Sequence, residues 1–187
     1  SDRITARIAD MMNDELLRKF LQSDHYPYQY YAVDYLAAHN QMTRYLVEFQ
    51  QMLRGADSFV ARAALKQIGD KVYGEKRFQL FLTDWLMSAD YYTQQSIIEA
   101  LSVHELYPEV LEALTEKTDG YNERQMLEII RILDGQSAGI NRKTLKNLDH
   151  FVHDERQAIS VASLELLGKL AGNNAYANKI LRKYENN

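Results

Sequence analysis

The segment Leu65-Lys66-Gln67-Ile68-Gly69 ends a helical stretch with two apolar residues three positions apart, followed by a small residue. Related endings occur at Val33–Ala37, Ile98–Ser102, Ile130–Asp134 and Leu164–Gly168, and successive endings are separated by 32, 33, 32 and 34 residues. A repeat of this period is typical of stacked two-helix units, each too small to bury its own apolar face. The sequence therefore predicts an all-α array in which the apolar column of Leu65, Ile98, Ile130 and Leu164 is buried.

The composition is that of a folded globular chain of 187 residues, with 46% hydrophobic and 26% charged residues. We expect a single domain, residues 1–187, and no apolar run approaches the roughly 18 residues of a membrane span. The chain has no cysteine, which excludes disulfides, zinc-thiolate sites and thiol nucleophiles. The compartment stays open between the cytosol and the periplasm, and we favour the cytosol.

Glycine, proline and aspartate residues divide the chain into pairs of helices, which we call A and B. We expect A helices near residues 3–22, 40–53, 75–87, 105–117, 141–152 and 174–184, and B helices near 26–38, 57–71, 91–103, 121–134 and 155–170. The motif Ser102-Val103-His104-Glu105 predicts a capping box for the fourth A helix. Helix caps are also predicted at Asp24, Asp57, Asp90 and Asp154.

The chain begins with Ser1-Asp2-Arg3, and helical spacing of apolar residues starts at Ile4. A helix is therefore predicted to be under way at the first residues. This pattern leaves open a preceding segment in a longer protein, such as another repeat or a membrane anchor.

The B-helix pattern resembles that of HEAT repeats, an aspartate turn followed by a valine and arginine, small residues and a leucine-glycine ending. The matching residues are Asp57, Val60, Arg62, Ala63, Ala64, Leu65, Ile68 and Gly69, and later Asp154, Ala162, Leu164, Leu167 and Gly168. The resemblance implies a right-handed α-α superhelix of about five helix pairs plus a terminal helix, acting as a scaffold whose B helices line the concave side. It implies no shared catalytic residue. The alternative fold is an armadillo-like or other helical array.

Charges alternate along the B helices at the position three before each closing residue, which holds Asp34, Lys66, Glu99, Arg131 and Glu165 in turn. These residues are predicted either to pair between stacked helices or to form a mixed-charge groove for a charged peptide or protein face. A continuous basic track is not expected, and the formal net charge is −4. A nucleic-acid-binding array, such as a HEAT-like DNA glycosylase, is therefore the less favoured class.

Tyrosines are concentrated at the beginnings of two B helices, at Tyr26, Tyr28, Tyr30, Tyr31 and Tyr35 and at Tyr91 and Tyr92. Helical geometry prevents all of them from entering the core, so some are expected to be exposed. They form either an aromatic cap on the stack or a binding surface. The wide apolar faces of the last two B helices indicate deep burial or, around Leu127 and Val161, a groove for an apolar helix.

No pattern typical of an enzyme stands out in the sequence. His150 and His153 have a spacing that permits metal binding, but no third ligand accompanies them. Phosphate-binding glycine loops and nucleophile elbows are absent from the sequence. We therefore predict no catalytic residue, metal site or cofactor.

The predicted function is that of a scaffold or adaptor that binds a protein or peptide partner on the concave B-helix face. The candidate binding residues are Tyr30, Asp34, Arg62, Lys66, Gln95, Glu99, Leu127 and Arg131. The alternative is a structural or regulatory domain of a larger, membrane-attached protein.

Overall fold

The computed structural model describes residue 7 and residues 11–185, and every regular element in that part of the chain is helical. Between Asp14 and Glu185 lie twelve α-helices: α1 Asp14–Leu21, α2 Tyr26–Ala38, α3 Leu46–Gly55, α4 Ser58–Gln67, α5 Asp70–Tyr73, α6 Lys76–Leu86, α7 Tyr91–Ser102, α8 Pro108–Glu116, α9 Glu123–Gly135, α10 Arg142–Phe151, α11 Gln157–Ala171 and α12 Ala175–Glu185. Short 3-10 helices occupy Met42–Tyr45 and Ser137–Gly139. The all-α prediction is confirmed for the described residues.

The chain divides into two compact units, Ser1–Phe78 and Gln79–Asn187, which we call unit 1 and unit 2. In unit 1 the A helix α1 packs on α3, and the B helix α2 packs on α4. In unit 2 the B helices α7, α9 and α11 pack in sequence, as do the A helices α8, α10 and α12. Each unit thus contains two layers, in which a helix packs on the helix two further along the chain.

The first A helix differs from its predicted span of 3–22. Residue 7 and Met11 are helical, but Met12 and Asn13 are not, and α1 begins at Asp14. The side chain of Asn13 accepts a hydrogen bond from the Leu16 backbone amide at 2.9 Å, which is an N-cap. The other predicted residues before Met11 lie outside the described part of the chain.

The second B helix is shorter than the predicted 57–71. Helix α4 ends at Gln67, Ile68 is extended, and the short helix α5 follows after Gly69. The carbonyl of Leu65, which would bind the Gly69 amide if the helix continued, accepts the Tyr73 hydroxyl at 2.6 Å. This side-chain hydrogen bond satisfies one of the carbonyls at the helix end.

The predicted capping box at Ser102 is wrong. Ser102 is the last residue of α7, and α8 begins at Pro108 after an extended Tyr107. Proline disfavours the helical conformation in the residue before it, here Tyr107, so the fourth A helix does not begin before Pro108. A capping box does form between Asn122 and Gln125, at the start of α9.

Two of the four predicted aspartate caps form, at Asp57 and Asp90. At Asp24 no cap forms, because the N-cap of α2 is His25 and the adjacent first turn contains Pro27, which has no N–H to donate. Asp154 instead binds the guanidinium of Arg156 through both carboxylate oxygens, at 2.8 and 2.7 Å.

The predicted apolar column is buried at Leu65, Ile98 and Ile130 but only half-buried at Leu164. Within the described residues α11 has a B helix, α9, on one side only, which explains the greater exposure of Leu164. Trp85 is buried, as its helical spacing with neighbouring apolar residues predicts.

Buried amide side chains fix the register of successive B helices in unit 2. Gln125 donates to the side-chain oxygen of Gln94 at 2.9 Å, and Gln94 donates to the Leu86 carbonyl at 3.0 Å. Gln125 is almost fully buried, so its polar atoms must be paired to avoid a desolvation cost. This network holds α9 against α7.

Candidate functional site

A groove of about 710 Å³ lies between the B helices α7 and α9, and we call it the unit-2 groove. Its lining residues are Tyr91, Tyr92, Gln95, Ile98, Glu99, Ser102, Arg124, Glu128, Arg131, Ile132, Gly135 and Gln136. The set combines aromatic, aliphatic, amide and charged side chains. Pockets of this volume accommodate small molecules or short peptide segments, and a few polar groups in them orient the ligand.

The charges of the unit-2 groove are balanced but not all paired. Arg124 donates to Glu128 at 3.2 Å across one helical turn of α9. Within the described residues, the exposed side chains of Glu99 and Arg131 make no ion pair of 4.0 Å or less. The groove therefore offers one carboxylate and one guanidinium to a ligand.

The side-chain nitrogen of Gln95 is the most unusual atom of this groove. Nε2 is buried and has no hydrogen-bond partner among the described residues. Leaving a buried donor unsatisfied costs about 1–3 kcal/mol. Because Gln95 lines the groove, a ligand that offers an acceptor and turns the side-chain amide toward the groove would remove this cost on binding.

Two tyrosines form the aromatic part of the unit-2 groove at the beginning of α7. The rings of Tyr91 and Tyr92 have centroids 5.5 Å apart and planes inclined by 73°. Asp90 positions them, because Oδ1 accepts the Tyr92 and Thr93 amides and Oδ2 accepts the Thr93 hydroxyl at 2.5 Å. Tyr92 is 66% exposed, which confirms that some of the tyrosines lie on the surface.

A second cavity, of about 530 Å³, lies in unit 1 where α2 and α4 begin, and we call it the unit-1 pocket. It is lined by Asp24, Tyr26, Gln29, Tyr30, Gly55, Ala56, Asp57, Phe59 and Val60. Gln29 is buried and donates to the Ser23 carbonyl at 2.9 Å, which holds the segment before α2. The pocket therefore has a fixed floor and an aromatic, acidic rim.

The predicted binding residues separate between these two cavities and the open surface. Gln95, Glu99 and Arg131 lie together in the unit-2 groove, and Tyr30 lines the unit-1 pocket. Leu127 is half-buried and lines neither cavity.

The three remaining predicted residues are Asp34, Arg62 and Lys66, on α2 and α4. Asp34 and Lys66 are exposed, whereas Arg62 is half-buried and donates to the Ser58 carbonyl at 3.2 Å. None of the three lines the unit-1 pocket.

The predicted charge ladder does not form ion pairs inside either unit. Within the described residues, no pair of 4.0 Å or less joins Asp34 to Lys66 in unit 1, or Arg131 to Glu99 or Glu165 in unit 2. All five side chains are exposed, where ion pairing gains little against the loss of side-chain entropy.

A similar clamp occurs in both units, an aspartate on an A helix that receives a tyrosine hydroxyl and a basic side chain from the next A helix (α12) in unit 2 and from the 3-10 helix before α3 in unit 1. In unit 1, Asp14 accepts the Tyr45 hydroxyl and the Arg44 guanidinium, the latter at 2.6 Å. In unit 2, Asp149 accepts the Tyr184 hydroxyl at 2.6 Å and Lys183 at 3.0 Å. The sequence signal is a basic residue followed by tyrosine about one repeat after an aspartate, which our sequence reasoning missed.

The unit-2 clamp shifts the pKa values of its members. Burial raises the pKa of Asp149, but hydrogen bonds from Tyr184 and Lys183 outweigh this, and the pKa lies below its usual value. Burial and the Asp149 carboxylate raise the pKa of Tyr184 to about 12. His153 belongs to the same cluster, because its Nε2 lies 2.9 Å from the Tyr184 hydroxyl.

Sequence reasoning also missed the charged residues Arg124 and Glu128 and the aromatic residue Phe59. The i,i+4 spacing of Arg124 and Glu128 was a usable signal for a pair on one helix face. For Phe59 the signal was its place in the first turn of α4, two residues after the N-cap Asp57. The side chain at this place is exposed and does not enter the core.

The described residues contain no cluster of three or more histidine, aspartate or glutamate side chains able to hold a metal ion. In the same part of the chain, no helix has the length and apolar character needed to cross a membrane. Comparisons with models of protein families, with curated proteins and with solved structures give no match. The likeness of the B helices to HEAT repeats therefore stays a prediction from sequence.

Proposed function

We propose that this chain is a HEAT-like, right-handed superhelical scaffold that binds a protein or peptide partner on its B-helix face, with the unit-2 groove as the site. The observation that carries the proposal is the buried, unsatisfied Nε2 of Gln95 in a groove with a vacant carboxylate and guanidinium. A peptide supplies what these groups need, because its backbone carbonyls accept hydrogen bonds and its side chains carry either charge.

Binding turns the buried Gln95 amide toward the groove, where a backbone carbonyl of the bound segment accepts from Nε2. Satisfying this donor gains part of the roughly 1–3 kcal/mol that the unpaired amide costs. Glu99 and Arg131 then fix the direction and register of the peptide, since each attracts one sign of charge and repels the other. A partner with a basic and an acidic side chain on the matching sides is therefore favoured.

Tyr91 and Tyr92 supply contact area at the mouth of the groove. Tyrosine has few rotatable bonds for its size and is enriched among residues that contribute most to binding. A nucleic-acid ligand is disfavoured, because two glutamates accompany the two arginines of the groove and interrupt any phosphate track.

Selection from a random peptide library displayed on phage tests the proposal, with the intact chain as bait. Each selected peptide is synthesised and its affinity is measured by calorimetric titration against the wild type, Arg131→Glu, Gln95→Leu and Lys146→Glu. Arg131→Glu is expected to weaken binding by about tenfold or more, because it sets a third carboxylate beside Glu99 and Glu128. Gln95→Leu keeps a similar volume but removes the donor, and about a fivefold loss is expected.

Lys146→Glu is the matched control. Lys146 is exposed on α10, lies outside the unit-2 groove and makes no ion pair among the described residues, so its reversal should leave affinity unchanged. Selected peptides that bind Arg131→Glu and Gln95→Leu as tightly as the wild type would contradict the groove as the binding site. A library that yields no peptide at all would contradict the scaffold proposal and favour a structural role.

A further inference from the structure

The unit-1 pocket has walls made of aromatic rings that remain open to solvent. Tyr26 and Tyr30 lie one turn apart on α2, with ring centroids 6.1 Å apart and planes at 88°. Tyr26 is 62% exposed, and Phe59, on α4, is 66% exposed. Exposed aromatic rings at different inclinations offer both faces and edges to a ligand that enters between them.

The charged residues that line this pocket are both acidic, Asp24 and Asp57. Asp57 uses Oδ1 to accept the Phe59 amide at 2.8 Å, and its other oxygen has no hydrogen bond within the described residues. The Asp24 side chain likewise has no hydrogen bond or ion pair in that part of the chain. The pocket therefore presents carboxylate oxygens without a basic lining residue to neutralise them.

Aromatic faces attract cations through their quadrupole, and carboxylates attract them through their charge. Both lining groups of the pocket thus favour the same ligand charge. Anions are disfavoured even though α2 and α4 begin nearby, because carboxylates already occupy the positions next to these helix starts.

We infer that the unit-1 pocket binds the guanidinium group of an arginine side chain from a protein or peptide partner. Guanidinium is planar, so it stacks on a tyrosine or phenylalanine ring while its N–H groups donate in the plane to carboxylates. A lysine ammonium is more strongly hydrated and cannot stack, and a quaternary ammonium has no N–H to donate.

This inference goes beyond the proposed function, because it names the ligand chemistry of a different cavity in the other unit. It rests on the proposed function only in that the arginine belongs to a protein partner. The two fail separately, since the peptides selected on the unit-2 groove are tested with Arg131 and Gln95 variants that leave the unit-1 pocket intact.

Nuclear magnetic resonance titration tests the inference with three blocked pentapeptides that differ only in the central residue, arginine, citrulline or lysine. Citrulline has nearly the shape of arginine but no charge. The arginine peptide is expected to shift the ring signals of Tyr26, Tyr30 and Phe59, and the citrulline peptide to bind at least about tenfold more weakly. The lysine peptide is expected to bind at least about threefold more weakly than the arginine peptide.

Variants of the full chain identify the groups responsible. Asp24→Asn combined with Asp57→Asn removes both charges but keeps an N-cap, because asparagine caps helices as well as aspartate does. This variant should weaken arginine-peptide binding by about tenfold, whereas Asp34→Asn, at an exposed position of α2 outside the pocket, should not. Phe59→Ala should weaken it by about threefold. Val47→Ala, an exposed apolar control outside the pocket, should have no effect.

The inference is overturned if citrulline binds as tightly as arginine, if the double asparagine variant binds like the wild type, or if the shifted signals lie outside the pocket. Should the double variant misfold, Asp24→Asn alone gives the answer, since Asp24 does not cap α2. A folded Asp24→Asn chain with unchanged affinity for the arginine peptide would also contradict the inference.

Discussion

The unit-1 pocket and the unit-2 groove each contain two tyrosines at the start of a B helix, but they differ in extent and in charge. The pocket lies where α2 and α4 begin, whereas the groove runs along the length of α7 and α9. The two tyrosine rings are inclined at 88° in the pocket and at 73° in the groove. The pocket is lined by two carboxylates and no base, whereas the groove has two carboxylates and two guanidinium groups. The charges of the lining residues, rather than the tyrosines that both contain, therefore distinguish the two cavities.

The aspartates at the starts of α4 and α7 show how this difference arises from single residues. In unit 2, both oxygens of Asp90 are occupied by the backbone and hydroxyl groups of the first turn, and Asp90 does not line the groove. In unit 1 the residue three positions after Asp57 is Val60, which has no hydroxyl to donate, so one oxygen is left for the pocket. The same helix cap is therefore purely structural in one unit and available to a ligand in the other.

The largest expected effect, on the free energy of unfolding, tests whether the cores of unit 1 and unit 2 are equivalent at the repeated apolar position. Leu65 in unit 1 and Ile130 in unit 2 hold the same repeat position and are 4% and 5% exposed. Leu65→Ala and Ile130→Ala should each lower the free energy of unfolding by about 2–5 kcal/mol, through lost transfer energy and an unfilled cavity. Denaturant unfolding measures both.

Leu164→Ala is the internal control for this comparison, since Leu164 occupies the same repeat position but is half-buried. Its cost should fall below about 2 kcal/mol. Equal losses at Leu164 and Ile130, or a loss below about 1 kcal/mol at Ile130, would mean that the repeat register is wrong.

An intermediate effect separates the two roles of Asp57. Asp57→Ala removes the N-cap of α4 and should destabilise the chain by about 0.5–2 kcal/mol, while Asp57→Asn should stay within about 0.5 kcal/mol of the wild type. Thermal unfolding compares them, and Asp90→Asn is the counterpart in unit 2. If Asp57→Asn destabilised the chain as much as Asp57→Ala, the charge of Asp57 would be needed for folding. Asp57 would then have a structural role, as Asp90 has in unit 2, and would not be an available carboxylate of the unit-1 pocket.

The smallest effect concerns the clamp that both units share. The pKa of Asp149 is lowered in the folded chain, so its stabilising contribution is present above the ordinary aspartate pKa of about 3.9 and is lost as pH falls through the lowered value. Tyr184→Phe removes a hydrogen bond from this carboxylate and should cost roughly 1 kcal/mol or less at pH 7. The cost should shrink at pH values where Asp149 is protonated.

Carboxyl-carbon resonances measured across an acid titration check this clamp directly. In Tyr184→Phe the pKa of Asp149 should rise toward its usual value. An unchanged pKa in this variant would show that Lys183 alone holds the carboxylate, and that the clamp of unit 2 differs from that of unit 1.

The repeat period was sufficient to predict the helical class and most helix spans, because apolar spacing records which helix faces are buried. Two of the errors fall where a single side chain ends or delays a helix. The Tyr73 hydroxyl donates to the Leu65 carbonyl at the end of α4, and Pro108 delays the start of α8. Of these two, only the proline is a signal that can be read from the local sequence.

The candidate site was predicted in part. Glu99 and Arg131 follow from the charge column along the B helices, and both lie with the predicted residue Gln95 in one groove. The acidic character of the unit-1 pocket was missed, because Asp24 and Asp57 are 33 positions apart and both look like helix caps. Which oxygen of a cap remains available depends on the side chains of the following turn, and a spacing pattern does not record this.

The side-chain amide signals of Gln95 give the most direct test of peptide binding in the unit-2 groove. In nitrogen-proton correlation spectra of the intact chain, a peptide selected for binding should move the Gln95 amide protons downfield, as Nε2 gains an acceptor. The Gln94 amide, already bonded to the Leu86 carbonyl, is the reference and should hardly move. Saturating peptide that leaves the Gln95 amide signals in place would contradict the account.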